Sequence, residues 1–226
     1  MAKTVTIAID GPAGAGKSTI ARKLAAELGY YYVDTGAIYR TVAYFLDLLG
    51  ISPKDLDGVS RYIDELTVEI EYDEAGKQHM IMNGMDVTDE IRTPDISQKA
   101  SLVSAHAVVR DMLLDMQRDV AKKHNVIMDG RDIGTVVLPR ATVKIFLTAS
   151  AEVRAQRRCD EMLAKGQKAN FAQVLKDIQQ RDHQDMTRAV APLKQAKDAV
   201  KVDTSDLDID GVVAAIKTII AGKVKA

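Results

Sequence analysis

Hydrophobic and polar positions follow two alternating patterns along the chain. Five short runs are almost continuously apolar and rich in β-branched or aromatic residues, which is typical of strands buried on both faces of a parallel sheet. These runs are TVTIAID (4–10), YYYVD (30–34), NVIMDG (125–130), VKIFL (143–147) and AVKVDTS (199–205). Six longer stretches have apolar residues at helical spacing: 17–28, 37–49, 94–123, 151–165, 171–186 and 209–221. The alternation predicts a three-layer α/β/α fold with a central parallel sheet, whose ligands bind beyond the carboxyl ends of the strands.

The stretch 62–92 departs from this alternation. VEIEY and HMIMNG alternate apolar and polar residues on either side of a four-residue turn, 74–77, that contains Gly76. Such a pattern predicts a β-hairpin, and the following Asn83-Gly84 indicates a second turn and a third short strand. We therefore expect a small antiparallel sheet inserted into the parallel fold.

Composition and charge narrow the class of protein. The chain has 226 residues, of which 46% are hydrophobic and 28% charged, enough for one domain with a sizeable core. Its formal net charge of −1 argues against a general binder of nucleic acid. No apolar run reaches the roughly 20 residues that cross a bilayer, and MAKTVTIAID resembles a strand more than a cleavable signal. We expect a cytoplasmic protein.

Cysteine and histidine indicate no disulfide and no metal site. Cys159 is the only cysteine, so it cannot form an internal disulfide. The four histidines have no metal-ligand spacing, and ordinary packing or surface positions are expected for them. They are His79, His106, His124 and His183.

The segment GPAGAGKST carries the clearest chemistry. Gly11, Gly16, Lys17 and Ser18 fit the pattern G-x-x-x-x-G-K-[ST], between a predicted strand and a predicted helix. Glycines allow backbone N–H groups to point at phosphates, the helix N-terminus adds positive potential, and Lys17 can reach the terminal phosphates. The Ser18 hydroxyl is a candidate ligand of Mg²⁺, while Thr19 either contacts a phosphate or packs at the helix start. The motif predicts a bound nucleotide but no particular reaction.

Other motifs separate the possible reactions. Asp73 to Gly76 fits the D-x-x-G of GTPases, but these residues lie in the predicted hairpin turn, and no N-K-x-D motif is present. No H-R-D loop of a protein kinase is present either. A kinase of small molecules is favoured. A kinase for UMP or another phosphorylated metabolite, and a GTP-binding switch without catalysis, remain as alternatives.

Several arginines indicate an anionic second substrate. Arg40 follows YYYVDTGAIY, Arg131 lies in DGRD, and Arg181 and Arg188 lie in QQRDHQDMTR. A guanidinium binds two oxygens of a phosphate at once, although each of these residues could instead be a solvated surface arginine. A phosphate acceptor is already ionised at pH 7, because its second pKa is about 6, and it needs no general base.

Five segments in order resemble the bacterial cytidylate kinases of the nucleoside monophosphate kinase group of P-loop kinases. They are GPAGAGKST, DTGAIYR, DGRDIGTVVLP, VKIFLTAS followed by Arg154, Arg157 and Arg158, and RAVAPL, and the resemblance spans residues 5 to about 205. It implies a single P-loop kinase domain over 1–226. This domain would comprise a core (1–61, 93–150, 190–226), an inserted nucleoside monophosphate-binding subdomain (62–92) and a lid region (151–189).

The resemblance also implies an activity in pyrimidine nucleotide metabolism. The γ-phosphoryl group of ATP would pass to CMP or dCMP with Mg²⁺, giving ADP and CDP or dCDP. The protein would act as a monomer, without a polynucleotide or membrane partner. Lys17, Arg131 and Arg188 would be the catalytic residues, and Ser18 the metal ligand.

Residue positions in the resembling motifs give the expected binding sites. ATP would contact Gly11, Pro12, Ala13, Gly14, Ala15, Gly16, Lys17, Ser18, Thr19 and Arg157. CMP would contact Thr35, Arg40, Ser101, Arg110, Arg131, Asp132, Arg181 and Asp185. Within this set, Arg40, Arg110 and Arg131 would hold the phosphate, Thr35, Ser101, Arg131 and Asp132 the cytosine, and Arg181 and Asp185 the sugar.

Some of these residues could instead have structural roles. Ser101 could be an exposed hydroxyl in mid-helix, and Asp185 could pair within its own helix. Asp129 could bind Mg²⁺ through water or only end a buried strand. Arg154, Arg157 and Arg158 would surround the lid, but the adjacent Arg157 and Arg158 cannot both face one ligand from a regular helix.

Overall fold

Sixteen helices and strands account for most of residues 4–224, which the computed structural model describes. The strands are β1 (Thr6–Asp10), β2 (Tyr31–Asp34), β3 (Val68–Tyr72), β4 (Gln78–Met82), β5 (Met85–Asp86), β6 (Val126–Gly130), β7 (Val143–Thr148) and β8 (Val200–Asp203). The helices are α1 (Lys17–Leu28), α2 (Thr35–Leu48), α3 (Leu56–Tyr62), α4 (Pro94–Val103), α5 (Ala107–Lys123), α6 (Ala151–Ala164), α7 (Phe171–Thr187) and α8 (Ile209–Val224). A short 3₁₀ turn, Ile63–Glu65, and a π-helical turn, Ile133–Val137, complete them.

Two sheets organise the strands. Five strands form one sheet in the order β2-β6-β1-β7-β8, and β7 runs parallel to both β1 and β8. The strands β3, β4 and β5 form a separate antiparallel sheet. The central strands are apolar because both faces are covered, and every residue of β6 is buried. The predicted three-layer α/β fold with a small antiparallel insertion is confirmed, and the predicted strand ends lie within two residues of those observed.

The predicted helix over 94–123 is wrong, because the chain forms two helices there. α4 ends in a tight turn in which Ala105 N donates to Leu102 O and His106 N to Val103 O. The Ser104 hydroxyl donates to Ser101 O, which competes with continuation of the helix. The sequence pattern also missed α3, whose first turn is capped by Asp55 accepting from Gly58 N.

Two compact units make up the described residues. One comprises Thr4 and Tyr31–Val126, and the other comprises Val5–Tyr30 and residues 127–224. The first contains β2 to β5 and α2 to α5, with α2 packed on α4 and on β4. The second contains α1, β1, β7, β8 and α6 to α8, with α6 packed on α7 and α1 on α8. No helix within residues 4–224 is both long and apolar enough to cross a membrane.

Candidate active site

The loop from Gly11 to Gly16 connects β1 to α1 and satisfies the backbone requirements of its motif. A Cβ atom on Gly11 would lie 2.0 Å from the carbonyl oxygen of Leu147, so no larger residue fits there. Gly16 is the N-cap of α1 in the left-handed region, with φ 84° and no side chain to cap the first turn. The amide donors of that turn can therefore bind an anion at the helix N-terminus.

Lys17 begins α1 and is buried in this loop. Its Nζ donates to the carbonyl oxygen of Pro12 over 2.7 Å, and the residue is 6% exposed. Burial and then repulsion from Arg131 lower the pKa of Lys17 to about 7, against the attraction of Asp129. The charged form of the lysine is thus poorly solvated, and binding of an anion would stabilise it.

Ser18 and Asp129 bring two oxygen groups together beside the loop. Ser18 Oγ donates to Asp129 Oδ2 over 3.0 Å, and Asp129 is buried near the end of β6. A hydroxyl and a carboxylate suit a hard cation such as Mg²⁺, which takes most of its ligands from phosphates and water in nucleotide sites. No cluster of three or more His, Cys, Asp or Glu that could hold a metal occurs in residues 4–224.

Asp10, at the end of β1, anchors the loop that carries Arg131 and Asp132. Its Oδ1 accepts from Ile133 N and its Oδ2 from Gly134 N, each over 2.7 Å. A Cβ on Gly134 would lie 3.2 Å from Asp10 Oδ2, so the close approach favours glycine. Burial raises the pKa of Asp10 to about 6, although the two amide donors oppose the shift.

Arg131 forms an ion pair with Asp185 of α7. Arg131 Nε donates to Asp185 Oδ2 over 2.8 Å, and Asp185 is 3% exposed. Burial raises the pKa of Asp185, but the guanidinium groups of Arg131, Arg181 and Arg188 outweigh it and leave this pKa below its usual value. Asp185 thus pairs with Arg131 of the DGRD loop, and the nearby Arg181 and Arg188 also act on its charge.

Arg188, just after α7, lies beside Asp132 of the DGRD loop. Its Nη2 is 3.6 Å from Asp132 Oδ1, and its Nε donates to Ala191 O over 2.8 Å. Asp132 is buried, with 4% exposure. Together with the influence of Arg131 and Arg181 on Lys17, this arrangement concentrates positive charge near the glycine-rich loop.

The three arginines of α6 have different partners. Arg154 is buried and donates to Ala149 O, Ala13 O and Asp182 Oδ2 over 3.0, 3.0 and 2.7 Å. Arg157 donates to Thr204 through both Nη atoms, whereas Arg158 is exposed and pairs with Glu161. The neighbouring Arg157 and Arg158 thus do not share a partner, and Arg154 connects the glycine-rich loop to α7.

A second group of residues lies in the unit that contains α2. Asp34 caps α2, since its Oδ1 accepts from Ala37 N over 2.9 Å, and its Oδ2 pairs with Arg40 Nη2 over 3.0 Å. A Cβ on Gly36 would lie 3.1 Å from Arg40 Nη1, so glycine makes room for the guanidinium. Thr35 is buried as the first residue of α2. In the motif DTGAIYR, Asp34 caps α2 and pairs with Arg40, and Gly36 leaves space for the guanidinium. These features together orient Arg40.

Ser101 and Arg110 flank the break between α4 and α5. Arg110 is buried, donates from Nη1 to Ser104 O over 3.2 Å, and has its guanidinium carbon 5.5 Å from the centre of the Tyr39 ring. Ser101 is also buried, so the alternative of an exposed hydroxyl is wrong. The helix break thus supplies the carbonyl that holds Arg110.

The expected site residues fall into two groups. Residues 11–19, Arg131, Asp132, Arg157, Arg181, Asp185 and Arg188 belong to the unit with α1, and Thr35, Arg40, Ser101 and Arg110 belong to the unit with α2. Sequence reasoning did not identify Asp10, Asp34, Gln78 or Asp182. Asp10 and Asp34 end strands β1 and β2, and ligands of such folds bind beyond the carboxyl ends of the strands, so their positions could have identified them. Gln78 and Asp182 lie in no motif.

Comparisons with known proteins agree with this geometry. A family model described as Cytidylate kinase matches residues 7–221. Cytidylate kinases from Exiguobacterium sp. (strain AT1b), Carboxydothermus hydrogenoformans and Shouchella clausii are each 48% identical to the chain. These alignments cover 97, 96 and 96% of this chain and 98, 97 and 96% of the relatives. The family match over nearly the whole chain, with relatives almost half identical, means that this chain belongs to the cytidylate kinase family.

Proposed function

We propose that this protein is an ATP-dependent kinase that transfers the γ-phosphoryl group of ATP to CMP or dCMP, giving ADP and CDP or dCDP. The observation that carries the proposal is the cluster formed by the buried Lys17, the Ser18–Asp129 pair and the Arg131–Asp185 pair. Such a cluster can hold and neutralise a polyphosphate, and the family relatives are named cytidylate kinases. The reaction belongs to pyrimidine nucleotide metabolism.

ATP binds along residues 11–19 in this proposal. The amide groups of the loop and of the first turn of α1 receive the phosphates, and Lys17 moves from Pro12 O to the β and γ phosphates. The side chain of Arg157 contacts the nucleotide from α6. Ser18 and Asp129 would hold Mg²⁺, which would neutralise part of the phosphate charge.

CMP is held by eight residues in this proposal. Arg40, Arg110 and Arg131 bind the phosphate, which suits their guanidinium forks. Thr35, Ser101, Arg131 and Asp132 contact the cytosine, and Arg181 and Asp185 contact the sugar. Arg40 Nε is buried without a hydrogen-bond partner, which supports a role as a donor to a ligand.

The transfer itself needs no general base. The acceptor phosphate of CMP is already ionised at neutral pH, so a nucleophilic oxygen is present. The work of the protein is then to align two phosphates and to neutralise the charge on the transferred group. Lys17, Arg131 and Arg188 supply that positive charge as the catalytic residues.

The organisation of the chain is part of the proposal. Residues 62–92 form the inserted nucleotide-binding subdomain, 151–189 form a lid over the phosphates, and the remaining residues form the core. Closure of the lid excludes water and so prevents hydrolysis of ATP. We further propose that the protein is a cytoplasmic monomer.

A panel of acceptors tests the proposal. Formation of ADP from ATP is measured with each ribo- and deoxyribonucleoside monophosphate, for the wild type, for Lys17→Ala and for Lys23→Ala. Lys23 lies on the exposed side of α1 and pairs with Asp210, so it is a matched control. We expect CMP and dCMP to give the highest kcat/KM, with activity retained in Lys23→Ala and lost by about 100-fold or more in Lys17→Ala. Equal rates with UMP, or rates independent of any acceptor, would refute the proposal.

A further inference from the structure

Two side chains of the inserted hairpin bind the main chain of β2. Tyr72 Oη donates to Tyr32 O over 3.0 Å, and Gln78 Oε1 accepts from Asp34 N over 2.7 Å. Tyr72 and Gln78 are directly opposite each other in the β3–β4 ladder. Because residues two apart in a strand point their backbone groups to the same side, these contacts lie along one edge of β2. β2 is the first strand in the order of the central sheet, an edge whose backbone groups need partners.

Gln78 is suited to this contact by chemistry and by burial. The residue is 7% exposed, and its Nε2 lies 3.4 Å from Asp34 O and donates to Met80 Sδ over 3.0 Å. A carboxamide presents an acceptor and a donor at once, as a neighbouring strand would. Tyr72, in contrast, holds a residue two positions earlier and packs edge-on against Tyr31, with ring centres 4.8 Å apart.

Asp34 connects Gln78 to residues of the proposed acceptor site. Its amide is fixed by Gln78, its Oδ1 caps α2, and its Oδ2 pairs with Arg40. Thr35 follows at once as the first residue of α2. A shift of the Asp34 backbone would therefore move the cap, Thr35 and the partner of Arg40 together.

We infer that Gln78 is a positioning residue for the nucleotide acceptor: it fixes Asp34 and thereby the orientation of Thr35 and Arg40. The inference rests on the proposed function, because it assumes that Thr35 and Arg40 bind the nucleoside monophosphate. It gives a role to a residue of the insertion that carries no motif. The hairpin then orders the binding residues through the main chain of β2.

Gln78→Met tests the inference, with Tyr72→Phe as the matched control. Methionine keeps the length of the side chain but replaces the carboxamide oxygen that accepts the Asp34 N–H with a thioether sulfur, a much weaker acceptor. Phenylalanine keeps the ring of Tyr72 and loses only the bond to Tyr32. We expect Gln78→Met to raise the KM for CMP about tenfold, as the loss of one buried hydrogen bond predicts, with kcat and the KM for ATP within twofold. Tyr72→Phe lowers the melting temperature but changes the KM for CMP by less than twofold.

Amide hydrogen exchange supplies a second readout that does not depend on activity. The Asp34 amide is protected in the wild type and exchanges faster in Gln78→Met. An unprotected Asp34 amide in the wild type would overturn the inference even if the variant failed to fold. So would an unchanged KM for CMP in Gln78→Met, or an equal rise of this KM in Tyr72→Phe. A wild type without CMP kinase activity refutes the proposed function instead, while the exchange result still reports on the Gln78 contact.

Discussion

The burial of Lys17 makes its charge depend on pH near neutrality. In the protein without nucleotide, its pKa is lowered to about 7 by burial and by Arg131. Phosphate oxygens favour the charged form of a lysine and would raise this pKa. Binding of ATP should therefore be accompanied by uptake of a proton at pH values above about 7 and below the raised pKa of the bound state.

Calorimetry in buffers of different ionisation enthalpy measures this uptake. At pH 8 the phosphates of ATP are ionised, and free Lys17 is mostly neutral, so uptake close to one proton per site is expected. Lys17→Met should bind ATP without that proton, because methionine does not titrate. Equal uptake in the two proteins at pH 8 would contradict the proposed movement of Lys17 onto the phosphates.

Asp132 tests the proposed recognition of the base. The residue is buried and its Oδ1 lies 3.6 Å from Arg188 Nη2, so its carboxylate is fixed beside a catalytic candidate. A carboxylate accepts from the amino group of cytosine, which uracil lacks. We expect Asp132→Ala to reduce the ratio of kcat/KM for CMP to that for UMP about tenfold, measured by ADP formation. An unchanged ratio would show that other residues select the base.

At the scale of helices and strands, Arg154 joins three elements. It donates to Ala13 in the glycine-rich loop, to Ala149 before α6 and to Asp182 in α7. Helices α6 and α7 and the glycine-rich loop are therefore connected by a buried guanidinium. Arg154 bonds Asp182 Oδ2, and the buried Oδ1 has no hydrogen-bond partner, so removal of Arg154 leaves a carboxylate poorly satisfied.

Substitution of Arg154 should weaken both the fold and the binding of ATP. We expect Arg154→Ala to lower the free energy of unfolding by about 3 kcal/mol and to raise the KM for ATP about tenfold. Arg154→Lys should not restore the wild type, because one ammonium group cannot reach three separate acceptors. Arg158→Ala is the control, since Arg158 lies on the same helix but is exposed. The same KM for ATP in both alanine variants would contradict a role of Arg154 in fixing the loop.

The elements also show what a single sequence can predict. Strands and most helices were predictable because β6 and β7 are nearly continuous apolar runs and α1 begins at a recognisable motif. The break between α4 and α5 was not predictable, because the helical spacing of apolar residues continues through Ser104. The helix ends there because of local contacts such as the bond from the Ser104 hydroxyl to Ser101 O. Gln78 was also unpredictable: its partner is a backbone amide 44 residues away, and no side-chain pattern marks such a contact.

At the scale of the whole molecule, charge is distributed in a way that suits small anions. The chain has a formal net charge of −1, yet repulsion from Arg131 and Arg181 adds to the effect of burial in lowering the pKa of Lys17. A local positive cluster on a nearly neutral protein favours a nucleotide over a polynucleotide. The family resemblance of five motifs added the identity of the acceptor, which charge and burial alone do not specify.

Transfer of label from ATP to CMP tests the central claim most directly. The wild-type protein is incubated with Mg²⁺, CMP and ATP labelled at the γ-phosphorus, and the labelled products are separated. Direct phosphoryl transfer predicts that the label appears in the β-phosphate of CDP, in amounts equal to the ADP formed. Label found only in inorganic phosphate, with no labelled CDP, would contradict the account.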